Sequence, residues 1–277
     1  MNCALPQLPH RNLWLETMDE TDKPLLPEMA DLWQQTLNWQ PSAQKQCQFQ
    51  RLYELILFGN RQLNLTRITD PLEFWEKHLW DSLRGIAPLL ASDVVANEVA
   101  SLQDVVSGQS TQRIIDIGTG AGFPGIPVAI ALSNWITLLD STRKKITFLN
   151  TLLAELGIQN ATTVLGRAEE VGRLPHYRQT YDVALIRAVG SASVCAEYTL
   201  PLLKNGGLAV LYRGHWTDGE AEVLQSAVEQ LGGAIESIEG FTTPLSNSIR
   251  HCLYLRKVAS TPAEFPRPAG VPAQQPL

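Results

Sequence analysis

The stretch Arg113–Ile130, RIIDIGTGAGFPGIPVAI, sets four glycines and two prolines directly behind a short apolar run that carries Asp116. Such a run bounded by glycine reads as a buried strand feeding a tight turn and then a helix. Downstream, apolar runs of five or six residues, RIIDI, WITLLD, ATTVL, YDVALI, GLAVLY and HCLYLR, alternate with helical patterns. Over 142–156, Ile146, Leu149, Leu152, Leu153 and Leu156 share a helix face, with Ser141 placed to cap the start and Gly157 the end. The alternation predicts an α/β fold, a mainly parallel sheet covered by helices. In an open parallel sheet, ligands sit beyond the carboxyl ends of the strands, so the first strand delivers its glycine loop to the ligand side. Gly118, Gly120 and Gly122 there permit positive φ and let a ligand touch the backbone.

Upstream of this domain, assigned to 112–258, residues 1–27 hold four prolines among mixed polarity and predict a flexible extension. Residues 28–90 predict a helical N-terminal subdomain. Met29, Leu32, Trp33 and Leu37 mark one face; Phe49, Leu52, Tyr53, Ile56 and Leu57 mark another, with Asn60 as its stop. Asp70-Pro71-Leu72-Glu73 opens a further helix through Leu79 and Leu83. Trp33, Trp39, Trp75 and Trp80 suit a helical core or a base-stacking surface. Residues 91–111 predict a linker or insertion, and 259–277, with five prolines, a disordered tail.

Hydrophobic content of 44% with 18% charged residues describes a soluble globular protein. No apolar run reaches 18 residues and no basic flank precedes an apolar stretch at the N-terminus, which predicts neither membrane span nor secretory signal and a cytoplasmic location. Cys3, Cys47, Cys195 and Cys252 form no CxxC pair, so reduced thiols are expected, with neither a metal site nor a disulfide framework. The net charge of −6 resides in residues 1–112, with 8 Lys and Arg against 14 Asp and Glu; residues 113–258 balance at 13 against 13. A local basic patch is compatible with that balance, but no chain-wide attraction to nucleic acid follows from it.

A dinucleotide fingerprint, GxGxxG, would put a third glycine where Phe123 stands. The spacing GxGxG with an acid two residues ahead instead resembles motif I of class I S-adenosylmethionine-dependent methyltransferases, whose loop packs against the amino-acid end of the cofactor. Asp140 closes WITLLD 22 residues beyond Gly118, where a carboxylate can accept two hydrogen bonds from a ribose diol. A tight turn and a helix cap are the competing structural roles.

Taken together, NLTRITDP (64–71), HLWDSL (78–83), DIGTGAGFPGIP (116–127), LLDSTRKKITFL (138–149), GRAEE (166–170), IRAV (186–189) and RHCLYLRK (250–257) resemble the RsmG, or glucose-inhibited division protein B, family. Its members methylate guanine N7 in small-subunit ribosomal RNA. The resemblance covers about residues 30–258 and implies a Rossmann-like, mostly parallel seven-stranded sheet with a helical N-terminal layer. It implies S-adenosylmethionine as cofactor and 16S ribosomal RNA or the 30S subunit as partner; beside it stands the expectation of a monomer without metal or membrane. Asp116, Gly118, Gly120 and Phe123 would line the cofactor pocket; Asp140, Ser141 and Thr142 would meet ribose and adenine, with Ala168 and Glu169 on adenine. Arg187 matches the arginine after the fourth strand. Arg213 stands where the family has a lysine, offering a planar fork in place of a compact charge.

Guanine N7 presents a lone pair without deprotonation, so alignment rather than a general base is what such an enzyme must supply. Consistently, IRAVGSAS occupies the place where amine methyltransferases carry an NPPY-like segment, and no cysteine follows a proline as in RNA cytosine-C5 enzymes. Arg187 is the catalytic candidate, against a structural salt bridge to a nearby acid. Arg143, Lys144 and Lys145, with Arg213, are candidates for RNA phosphate, against a solvated helix face. His78 and His251 suit structural hydrogen bonding. Two other functions remain open on sequence: a small-molecule methyltransferase, to which the acidic pI of 5.4 lends weight, and a non-catalytic protein that binds the cofactor or RNA.

Overall fold

The computed structural model describes residues 24–90 and 112–277. The linker expected over 91–111 and all but the end of the extension expected over 1–27 lie outside these residues. That end is tied down: Leu26 is buried and its N–H donates to Gln50 Oε1 at 2.8 Å.

Seven strands form one sheet in the order β3-β2-β1-β4-β5-β7-β6. They are β1 Arg113–Ile117, β2 Trp135–Asp140, β3 Ala161–Leu165, β4 Tyr181–Arg187, β5 Leu203–Arg213, β6 Gly233–Thr242 and β7 Ile249–Lys257. β3, β2, β1, β4 and β5 run parallel, and β7 is antiparallel to both β5 and β6. This is the mostly parallel, Rossmann-like seven-stranded sheet that the resemblance implies. The strand order reverses between β1 and β4, which opens a crevice at their carboxyl ends. β6 is the strand the apolar runs do not mark: it is an edge strand whose exposed and half-buried positions alternate, so it never presents a continuous apolar run.

Helices α1 Ala30–Leu37, α2 Ala43–Leu63 and α3, which runs through Pro71–Phe74, Trp75–Trp80 and Asp81–Arg84, form the N-terminal layer. Asp70 caps α3 as expected, its Oδ1 accepting from Leu72 N and Glu73 N at 3.0 Å. Asn60 does not stop α2. The helix continues to Leu63, where Asn64 turns left-handed at φ 47°, and Asn60 instead bonds Thr66 through both its amide groups. The four tryptophans of the helical layer are buried, Trp33 packing on Trp39, Phe49 and Trp75.

Across the sheet, α4 Gly125–Ala131, α5 Arg143–Glu155, α6 Ala168–Val171, α7 Ala192–Thr199, α8 Asp218–Gln230 and α9 Val271–Gln274 complete the fold. Side chains alternate across each strand, so Ile114, Leu138, Leu185 and Val210 share a core with the N-terminal layer, α4 and α5. Ile115, Ile117, Ile186 and Leu211 face α7 and α8. The helices of 28–90 therefore share their core with the sheet. Cys195 and Cys252 are buried free thiols, as expected of reduced cysteines, and Cys3 lies outside the described residues.

The tail also departs from expectation. Residues 259–277 are packed, with Thr261 and Pro272 buried and Arg267 paired to Glu197. Proline-rich sequence lacks the donors to satisfy itself; here donors from the sheet domain serve its carbonyls.

Candidate active site

The glycine loop forms as its composition requires. Gly118, Gly120 and Gly122 hold φ values of +68°, +62° and +99°. Gly118 N and Thr119 N donate to Leu139 O at 2.8 and 3.0 Å, laying the loop along the end of β2. Asp140 then fixes both neighbouring turns: Oδ2 accepts from Gly120 N at 3.0 Å and Oδ1 from Thr142 N at 2.8 Å. It is this carboxylate, rather than the expected Ser141, that serves the start of α5. Lys145 Nζ lies 3.7 Å from Asp140 Oδ2.

Asp116 is fully buried beneath the loop, one oxygen accepting from Gly125 N at 2.8 Å. Burial pushes its carboxyl up to about 6 against the opposing pull of the Gly125 N–H. Its Oδ1 and the Thr119 hydroxyl are buried without hydrogen-bond partners. A side chain at Gly125 would meet Asp116 Oδ2 at 2.7 Å and Leu138 Cδ2 at 2.3 Å, which accounts for that glycine.

Beyond the strand ends lies a hollow of about 230 Å³ that brings together Gly118, Asp140, Ser141, Ala168 and Glu169. Val189, Tyr198 and Ala273 complete its lining; a glycine-sized position at 118 is needed because an added Cβ would meet Val189 Cγ2 at 2.6 Å. Against its burial, the N–H of Gly270 and the Arg167 guanidinium hold the Glu169 carboxyl below the usual carboxylate range. The same carboxylate oxygen, Oε1, accepts from Tyr198 Oη at 3.2 Å and Gly270 N at 2.9 Å. Sequence patterns gave no sign of Tyr198 or Ala273: one is a tyrosine in an apolar helix, the other an alanine in the proline-rich tail. Val189 does fall within the IRAV motif.

Phe123 and Arg187 belong to an adjoining cluster closed by the helical layer. The His78 ring stacks on Phe123 with centroids 4.2 Å apart and 9° between planes, and Phe74 meets both edge-on. Arg187 Nη1 donates to Asp81 Oδ2 at 3.0 Å and Lys77 O at 2.8 Å, and Nη2 lies 3.3 Å from His78 Nδ1. The structure thus realises the salt-bridge alternative for Arg187. Burial, reinforced by Arg187 and Lys77, depresses His78 to about 3, so its ring is neutral. Because Arg187 can only donate, Nδ1 is the acceptor and Nε2–H donates to Thr66 Oγ1, 2.8 Å away.

The expected RNA contacts divide. Arg143 and Lys144 are exposed at the start of α5 and form no ion pair among the described residues. Lys145 is drawn to Asp140. Arg213 is held by Gly190 O at 2.6 Å and Glu220 Oε1 at 3.5 Å, a structural placement that its planar fork suits. Among the described residues no helix is long and apolar enough to cross a membrane, and no three His, Cys, Asp or Glu side chains cluster as a metal site.

The family model described as rRNA small subunit methyltransferase G matches residues 45–252. The Ribosomal RNA small subunit methyltransferase G of Nostoc punctiforme is 67% identical over 91% of this chain and 99% of its own length. The protein of that name from Trichodesmium erythraeum is 56% identical over 94% and 98%, and that from a Synechococcus strain 52% identical over 91% and 94%. With the glycine loop, Asp140 and Glu169 converging on one hollow inside this match, the chain belongs to the rRNA small subunit methyltransferase G family.

Proposed function

We propose that this protein transfers a methyl group from S-adenosylmethionine to N7 of a guanine in 16S ribosomal RNA. The observation that carries the proposal is the hollow in which Gly118, Asp140 and Glu169 meet beyond the strand ends, in a chain of this family. Its residues fit the cofactor. Gly118 and Gly120 leave bare backbone for the amino-acid end, with nothing nearer than 3.8 Å to a Cβ built at Gly120, and Asp116 and Thr119 keep unpartnered oxygens beneath them. Asp140 and Ser141 would meet the ribose, Ala168 and Glu169 the adenine.

When bound, S-adenosylmethionine supplies an electrophilic methyl on its sulfonium. The protein's part is to hold a guanine in line with it and keep water away. No residue has to remove a proton from N7, which carries none in guanine, and His78 is unsuited as a base: burial depresses it to about 3 and both ring nitrogens are engaged. Arg187 acts by position, tying the Phe123–His78 stack and α3 to the end of β4. To enter the cleft, the target base must be unstacked or flipped. Exposed Arg143 and Lys144 beside the mouth are suited to phosphate.

Incubation of the purified protein with labelled S-adenosylmethionine and 30S particles or 16S RNA tests this directly. 7-Methylguanosine is the expected nucleoside; labelling of another base, or transfer only to small molecules, would overturn the assignment.

A further inference from the structure

The C-terminal segment reaches the hollow by a continuous chain of contacts. It leaves β7 at Lys257, whose ammonium donates to Leu231 O and to Thr261 Oγ1. Arg178 serves the carbonyls of Thr261 and Phe265 at 2.9 and 2.7 Å, and Arg173 those of Glu264 and Pro266 at 2.8 and 2.7 Å. Arg267 then faces Glu197, a fully buried carboxylate on α7: Nη2 lies 2.6 Å from Oε2, Nε 3.0 Å from Oε1, and the Arg267 N–H donates to Oε1 at 2.7 Å. A carboxylate so buried requires these partners.

Just beyond, Gly270 N–H donates to Glu169 Oε1, and Ala273 stands in the lining of the hollow beside Gly118, Asp140 and Glu169. Glu197 and Tyr198 are consecutive on α7, and the Tyr198 hydroxyl donates to that same oxygen of Glu169. The tail therefore bears on Glu169 twice, directly through Gly270 and indirectly through the helix turn that Arg267 grips.

We propose that residues 261–274 form the outer wall of the cofactor site, with Arg267 and Gly270 as positioning residues that set Tyr198 and Glu169 for the adenosine end of the cofactor. This rests on assigning the hollow to S-adenosylmethionine. The segment is a wall and not a plug, because about 230 Å³ stays open with it docked. Removing the wall exposes Glu169 to water and loosens its carboxylate, so cofactor affinity falls.

Calorimetric titration of the full chain with S-adenosylhomocysteine tests the proposal. Ala273→Trp, at an exposed position, should leave the melting temperature of the free protein unchanged and weaken binding about tenfold by filling the hollow. Arg267→Ala should weaken it about fivefold, the scale of one lost hydrogen-bonded contact, with partial recovery in Arg267→Lys. Amide exchange across 261–274 should slow when ligand is added. Asp140→Ala serves as the reference for the cofactor site. Tail variants that bind as the wild type does while Asp140→Ala binds weakly would overturn the wall and leave the site standing. Tighter binding by Arg267→Ala would make the tail a plug and likewise overturn the proposal. Unchanged binding by Asp140→Ala would overturn the site assignment itself. Should Arg267→Ala fail to fold, Ala273→Trp decides.

Discussion

The two halves of the cleft are built by opposite means. Towards β2, the glycine-loop side of the hollow is shaped by neighbours in sequence: Asp140 accepts from Gly120, 20 residues away, and from Thr142, two away. Towards the helical layer, Arg187 is held by Lys77, His78 and Asp81 across 106–110 residues of chain. The first half is polar and open; the second is aromatic and closed. The local half is thus arranged to receive a ligand, while the long-range half joins the N-terminal layer to the sheet and fixes the shape of the cleft's far wall.

That division predicts unequal costs of substitution. Asp81→Ala leaves the Arg187 guanidinium, whose side chain is 17% exposed, without its charge partner and should cost about 3 kcal/mol or more in urea denaturation. Asp140→Ala removes a capping acceptor at two turns and should cost only about 1 kcal/mol, while cofactor affinity collapses. Equal destabilisation by the two substitutions would erase the distinction between a binding half and a holding half.

The halves also titrate with opposite sign. Asp116 is raised from 3.8 to about 6 by burial. Between those values the unfolded chain releases a proton that the folded chain keeps, so the contribution of Asp116 to stability is greatest below pH 4 and declines as pH rises to 6, by up to about 3 kcal/mol. Asp116→Asn should remove that contribution, so that its stability relative to the wild type rises between pH 4 and 6; an identical profile would mean that the carboxyl is not buried as described.

His78 does the reverse. Depressed from 6.5 to about 3, it binds a proton in the unfolded chain first, so its contribution is complete above pH 6.5 and falls away below. About 2 kcal/mol should be lost between pH 6.5 and 5. His78→Gln should remove that loss, and a variant as acid-sensitive as the wild type would place the relevant titration elsewhere.

The same division explains what the sequence made legible. Strand periodicity and glycine spacing located Gly118 and Asp140, because each is placed by the end of its own strand, whereas Glu169 came only with the family resemblance that GRAEE carries. The Arg187–Asp81 pair was visible only as two motifs, HLWDSL and IRAV, with no spacing rule to join them. Residues 259–277 were misjudged because composition measures what a segment can bury by itself, and this segment is held by arginines and a glutamate from elsewhere in the chain. β6 went unmarked because its edge position asks for half-buried alternation instead of an apolar run.

The smallest expected effect separates two neighbouring lysines. Lys145 leans on Asp140 and Lys144 points to solvent, although both belong to one basic run. If Lys144 neutralises a phosphate, Lys144→Ala should weaken RNA binding a few-fold, lower the slope of log affinity against log salt by about one, and leave S-adenosylhomocysteine binding untouched. Lys145→Ala should perturb cofactor binding instead, through the carboxylate it screens. The salt slope is the informative measurement, since a surface charge acting from a distance would change affinity without altering the number of ions released. An unchanged slope in Lys144→Ala would return this residue to a solvated helix face and confine the local half of the cleft to the cofactor alone.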